Sequence, residues 1–203
     1  MIPLLKHLSK LKGIISIGSG SGEELKFLTS ISEKIICFEP QKELFEILKT
    51  RSNNNILCFQ KAILNKNGFL PFWQGQKLTN SSFLDLNPNR PGNHQKNIHE
   101  KKIFVNTTTL DNFFIENSID CNNYDCIIMD VQGAELMVLE GSIKTLKNIN
   151  FIISELSYYP IYHKSVIAKE LDYFIKQFGF IKNHEVKETS FMTNALYVKK
   201  IFN

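Results

Sequence analysis

Short, continuous apolar runs alternate along the chain with segments whose apolar residues recur three and four positions apart. The runs lie at 14–17, 34–38, 56–59, 125–129 and 150–154. Each is short enough for a strand and unbroken enough to be buried on both faces. The intervening segments carry a helical stripe. Segment 23–30 turns Leu25 and Leu28 inward, and segment 41–51 places Leu44, Phe45, Ile47 and Leu48 on one face. Thr109 opens a capped helix with Leu110, Phe113 and Phe114 inward. A helix over 134–146 carries Leu136, Leu139 and Leu146 and is interrupted at Gly141. A long helix over 165–178 ends at Gly179 as its C′ residue. Leu4, Leu5, Leu8 and Leu11 predict a short helix covering the sheet edge. The β-α-β-α-β order of residues 14–59 predicts a parallel, doubly wound sheet. Right-handed crossovers gather the carboxyl ends of its strands on one edge, outside which ligands of such sheets bind. Segments 180–181 and 195–198 predict a final antiparallel pair at one edge.

The middle of the chain departs from this rhythm. Ala62-Ile63-Leu64, an Asn/Gly turn, and Phe69 to Trp73 predict a hairpin, and residues 102–105 restore a strand. The polar stretch 85–100, with His94 and His99, is long enough to be a functional loop. It is a candidate lid or acceptor-recognition element. Residues 61–106 are therefore expected to be an insertion with β character inside a single domain spanning 1–203. A chain of 203 residues can bury a core of that size. Composition alters the picture little, with 43% apolar and 22% charged residues, as in ordinary globular chains. The net charge of +4 lacks the clustering of a dedicated nucleic-acid binder. No run of about 18 apolar residues spans a membrane, and the first residues lack the apolar core of a signal peptide. Cys37 and Cys58 fall in apolar strands and are expected as buried free thiols. Cys121 and Cys126 lack zinc-site spacing. This usage predicts a reducing, cytoplasmic compartment.

The candidate chemistry begins at Ile17-Gly18-Ser19-Gly20-Ser21-Gly22. Strand, glycine turn and helix form the entry of a nucleotide-binding βαβ unit. Glu39 ends the second strand about 20 residues later, where a carboxylate accepts hydrogen bonds from both ribose hydroxyls of an adenosine. NAD and S-adenosylmethionine both fit such an arrangement. The loop is one residue short of the dinucleotide spacing GxGxxG. The chain also closes on a strand pair and not on a second βαβαβ half. Both features favour S-adenosylmethionine.

These residues and others, in order, resemble the FkbM-type methyltransferases, a class I S-adenosylmethionine-dependent family. The matching blocks are Ser16 to Gly22, Cys37-Phe38-Glu39-Pro40, Lys61-Ala62-Ile63, Asn80-Ser81-Ser82, Thr107 to Asp111, Asp130-Val131-Gln132-Gly133-Ala134-Glu135, Val138 to Gly141, and Ile153 to Leu156. The resemblance implies a Rossmann-like α/β fold: a seven-stranded, mostly parallel sheet, helices on both faces, and an antiparallel last pair. It implies S-adenosylmethionine as cofactor and a hydroxyl acceptor, on a sugar, glycan or other small molecule. By position, Ser16, Gly18, Gly20 and Gly22 would border the methionine part and Glu39 with Pro40 the ribose. Lys61 and Ala62 would lie near the adenine, and Asp130 at the methyl-transfer edge. Ser16 stands where relatives usually carry an acid, and Ile128 where they often carry Lys.

Transfer to a hydroxyl needs positioning and a general base. Asp130 leads the candidates, followed by Glu155 and Glu135; His163 is expected as a solvated loop residue. Asp130 and Glu155 together could hold a divalent cation, but spacing supplies no third ligand and no metal site is expected. The aromatics Tyr158, Tyr159 and Tyr162 either flank the acceptor or pack beneath the last helix. Competing readings are an RNA ribose methyltransferase, a cofactor-binding module without turnover, and an NAD-dependent oxidoreductase. The Asn/Asp-Pro-Pro-aromatic and Pro-Cys motifs of base-modifying methyltransferases are missing.

Overall fold

The computed structural model describes residues 1–91 and 98–200. Five strands follow the apolar runs: β1 (Ile14–Ile17), β2 (Ile35–Phe38), β3 (Ile56–Phe59), β7 (Cys126–Met129) and β8 (Phe151–Ser157). Between β3 and β7 lie β4 (Ala62–Ile63), β5 (Gly68–Gly75) and β6 (His99–Thr108). The chain closes with β9 (Phe180–Lys187) and β10 (Met192–Lys199). The helices are α1 (Ile2–Leu5), α2 (Leu25–Ile31), α3 (Lys42–Lys49), α4 (Leu110–Glu116), α5 (Glu135–Glu140) and α6 (Ala168–Lys176).

Seven strands form one sheet in the order β3-β2-β1-β7-β8-β10-β9. The first five run parallel, and β10 is antiparallel to both β8 and β9. Strand order therefore reverses between β1 and β7, the switch point where such sheets bind ligands. Both faces are covered, which is why the central strands are apolar without alternation. On one face Ile15, Phe38, Met129 and Tyr197 pack with Phe113, Leu139 and Leu171 of α4, α5 and α6. On the other, Ile14, Ile35, Ile128 and Leu196 pack with Leu4 of α1, Leu25 and Leu28 of α2 and Leu48 of α3. The N-terminal leucine stripe is buried as expected, although its helix makes little more than one turn.

Several local expectations are corrected. Residues 62–73 do not pair as a hairpin, because β6 lies between β4 and β5. It pairs parallel with β4 and antiparallel with β5. The intervening turn wraps the end of β6: Asn67 Oδ1 accepts from the Thr109 N–H (2.9 Å), and Thr107 Oγ1 donates to the Lys66 carbonyl (3.1 Å). Strand β6 starts at His99, so His99 belongs to a strand, whereas His94 lies outside the described residues. Ile47 of α3 points to solvent, 48% exposed. α5 stops at Glu140, where a Cβ on Gly141 would stand 1.9 Å from the Leu64 carbonyl oxygen. The four cysteines are free; Cys37 and Cys126 are buried, while Cys58 and Cys121 are half-buried. Among the described residues no helix is long and apolar enough to cross a membrane.

Candidate active site at the switch point

The loop after β1 is tied to its neighbours through the backbone. The N–H groups of Gly18 and Ser19 both donate to the Phe38 carbonyl at the end of β2 (3.0 and 2.9 Å). Gly18 has φ +77°, and a Cβ there would stand 2.0 Å from the Asp130 carbonyl oxygen. Only glycine lets the β1 turn and the β7 end approach so closely. Ser16 is buried, and its hydroxyl accepts from Ser19 Oγ (2.9 Å). Its register partners are Cys37 and Ile128. Ile128 is buried in the apolar cluster on that face, so no cation is supplied from its position.

Glu39 follows β2 and is buried, 3% exposed. Its Oε2 accepts from the Gly20 N–H (3.0 Å) and its Oε1 from the Gln41 N–H (2.8 Å). Burial raises the carboxyl from 4.5 to about 7, opposed by these two donors. Gln41 closes the far wall. Its Oε1 accepts from Ser81 Oγ (3.0 Å) and Gln74 Nε2 (3.2 Å), and its Nε2 donates to the Leu78 carbonyl (2.9 Å). The three-stranded sheet is thereby fastened to the carboxyl edge of the main one.

A cavity of about 250 Å³ opens over the switch point, near the lower end of small-molecule sites, roughly 300 Å³. Ser16, Gly18, Gly20, Gly22, Glu39, Pro40, Lys61, Ala62 and Asp130 all line it, joined by Leu44, Phe72 and Phe83. Residues scattered from 16 to 130 in the chain thus share one wall. Glu155 and Glu135 do not line this cavity. They face a small adjoining crevice of about 20 Å³ beside Tyr162 and Met192.

Asp130 lines the larger cavity and is linked to Glu155 of the crevice through Gln132. Its Oδ1 accepts from Gln132 Nε2 (2.8 Å), which also reaches Glu155 Oε2 (3.4 Å). Burial raises both carboxyls, and repulsion from Asp130 and Glu135 raises Glu155 further. Glu135 is buried and folds back on its own turn, accepting from the Gly133 N–H (3.2 Å). Burial raises it to about 7. A carboxylate with a raised pKa beside a cavity is a stronger proton acceptor than an ordinary one. Among the described residues no group of three or more His, Cys, Asp or Glu side chains is arranged to hold a metal ion.

Of the aromatics, Tyr162 is buried, and its hydroxyl donates to Gln132 Oε1 (2.9 Å). Tyr158 and Tyr159 lie outside, where Tyr158 hydrogen-bonds Glu185 and Tyr159 packs edge-on to Phe191. His163 is exposed. His99, expected on a loop, stacks between Trp73 and Tyr162 at centroid distances of 5.5 and 6.2 Å. Gln132 escaped the sequence reading. A polar residue between Asp130 and Gly133 looks like turn material; its signals are its place beside the candidate base and inside the matching block 130–135.

Sheet order, the reversed penultimate strand and a cavity over the switch point define a Rossmann-like domain of the class I methyltransferase type. The family model described as the methyltransferase FkbM domain matches residues 16–182, and the chain belongs to that family. It is 29% identical over 161 residues to the 2-O-methyltransferase NoeI of Sinorhizobium fredii (strain NBRC 101917 / NGR234), covering 73% of this chain and 65% of that protein. Its fold is similar to the crystal structure of methyltransferase FkbM from Methylobacillus flagellatus KT. The TM-score is 0.58 and the identity 13%, covering 98% of this chain and 50% of that one. It is also similar to the magnesium protoporphyrin IX methyltransferase (ChlM) from Synechocystis PCC 6803, solved with bound SAM. There the TM-score is 0.54 and the identity 9%, covering 98% of this chain and 76% of that one. The chain thus spans less than two thirds of NoeI and half of the FkbM crystal chain.

Proposed function

We propose that this protein is an S-adenosylmethionine-dependent O-methyltransferase acting on a hydroxyl of a sugar, glycan or other small molecule. The observation that carries the reading is the cavity at the switch point, with Glu39 on one wall and Asp130 on the other. The residues suit the cofactor. Each Glu39 oxygen is held by one backbone N–H and keeps a further lone pair for a ribose hydroxyl. Gly20 adds no side chain to the wall, and a Cβ there would meet nothing within 4 Å. Lys61 and Ala62 border the adenine end, and Pro40 supports the ribose end. Carboxylates at the opposite end favour a cationic ligand.

S-adenosylmethionine, when bound, supplies an electrophilic methyl group on a positively charged sulfonium. The chain's part is to align an acceptor hydroxyl and remove its proton. Asp130 lines the cavity and is the base in this reading, becoming the neutral acid as it takes the hydroxyl proton, with Glu155 beside it through Gln132. Glu135 supports the turn that carries them. NoeI's description as a 2-O-methyltransferase supports a hydroxyl acceptor. Free cysteines suit a reducing compartment, and we expect the protein in the cytoplasm. Calorimetric titration with S-adenosylhomocysteine tests the cofactor. Absence of binding refutes the reading. Methyl transfer to a panel of glycosides, with RNA as the competing acceptor, tests the substrate class. Transfer to RNA alone overturns the small-molecule acceptor, and binding without transfer to either overturns turnover.

A further inference from the structure

Gln132 stands in the left-handed region, φ +52°, which a non-glycine residue adopts under strain and which surrounding contacts must hold in place. It is gripped at two points. Ser82 Oγ donates to its carbonyl (2.7 Å), and the Tyr162 hydroxyl donates to its Oε1 (2.9 Å). Both grips lead back to Trp73. Ser82 and Trp73 exchange backbone hydrogen bonds (2.8 and 2.9 Å), and Tyr162 stacks on His99, which stacks on Trp73. Strand β5 of the small sheet thus closes a ring of contacts around the turn after β7.

The grip has a chemical direction. Burial and the neighbouring carboxylates push the Tyr162 hydroxyl up, so it stays protonated and donates. With that hydroxyl donating, the Gln132 oxygen faces Tyr162 and its NH2 faces Asp130 and Glu155. Reversed, the amide would set its oxygen against two carboxylates. The NH2 supplies two N–H donors, one for each acid. We propose that Gln132 is a positioning residue, whose amide, oriented by Tyr162, holds the Asp130 and Glu155 carboxyl groups together at the transfer edge. This rests on the methyltransferase reading only for what the pair does, not for how it is held.

Hydrogen bonding to an ionised carboxylate favours the ionised form, so losing the amide should make the pair harder to ionise. The other ionisable groups facing the pair are Glu39, Glu135, Glu24, Glu188, Tyr162 and the Met1 amino group. All remain in a Gln132→Leu variant. The test follows the side-chain carboxyl ¹³C resonances of Asp130 and Glu155 by NMR across the acid-to-neutral range. In Gln132→Leu the Asp130 midpoint should rise by about one pH unit. In Tyr162→Phe, which keeps the amide but frees its orientation, it should rise in the same direction by less. Unmoved midpoints in the folded variants overturn the proposal, and Tyr162→Phe alone decides the matter if Gln132→Leu does not fold. Calorimetry with S-adenosylhomocysteine on the unaltered protein separates the two ideas. Binding with unmoved midpoints refutes the role of Gln132 alone. Moved midpoints without binding refute the cofactor reading alone.

Discussion

Replacing Glu39 with Ala tests the cofactor site most directly. The carboxylate has about four lone-pair positions. The Gly20 and Gln41 N–H groups take one on each oxygen, leaving one per oxygen for the ribose diol. A hydrogen bond to a charged group is worth about 1.5–3 kcal/mol, so losing two should weaken binding by about 3 kcal/mol or more, roughly a hundredfold. Protein stability should change less at alkaline pH. The variant orphans two N–H groups at about 1–3 kcal/mol each. It also abolishes a buried charge whose pKa moved from 4.5 to about 7, relieving about 3 kcal/mol above that pH. The binding defect should therefore appear in a folded protein. The sign with pH follows as well. Ribose hydroxyls donate to the ionised acid, so affinity in the unaltered protein should fall as pH drops below about 7, by at most about tenfold per pH unit. The variant should lack that component. Isothermal titration with S-adenosylhomocysteine at several pH values measures both. Affinities within about threefold of each other in two folded proteins would show that Glu39 holds no ribose.

The remaining expectations concern stability and are read by urea unfolding. Gly18→Ala adds a clash with the Asp130 carbonyl to an unfavourable φ, and should cost more than about 2 kcal/mol. Asp111→Ala should cost about 1–3 kcal/mol, because Asp111 accepts from the Lys144 and Thr145 N–H groups and from Thr145 Oγ1; a neutral effect would deny it a role in anchoring the turn beyond α5. Glu39 and Glu135 hold protons more tightly folded than unfolded, both near 7 against 4.5. Their contribution is fully present below the unfolded value and is lost as pH rises to about 7, on the order of 3 kcal/mol for either acid. Greater stability at about pH 8 than at about pH 5 would contradict this.

Much of the architecture was legible because it rests on local signals. Apolar runs marked the five parallel strands, since burial on both faces leaves no polar alternation. Thr109 marked the start of α4, and its hydroxyl accepts from the Asn112 N–H as an N-cap should. The glycine turn and Glu39 marked the cavity because nucleotide-binding turns need both within one βαβ unit. The middle was harder to read. Asn65 to Gly68 looks like a hairpin turn in either pairing, and nothing local shows that residues 99–108 come between β4 and β5. His99 belongs to a strand whose hydrogen-bond partners lie on β5, 24 residues upstream by register with Gly75.

The sequence by itself determined the parallel sheet, its carboxyl edge and the glycine turn with Glu39 behind it, because each depends on neighbours within a turn or a strand–helix unit. It also carried the resemblance to the FkbM family, which residues 16–182 bear out. Tertiary structure alone decided how the carboxylates divide. Asp130 faces the cavity, Glu155 the crevice behind it, and Glu135 its own turn. It also decided that Gln132 joins the first two under the hold of Ser82 and Tyr162. The Asp130 bond is local, but the bonds of Gln132 to Glu155, Tyr162 and Ser82 join residues 23 to 50 positions apart, and the charge state of a buried acid follows from what surrounds it in space, which no local pattern of residues encodes.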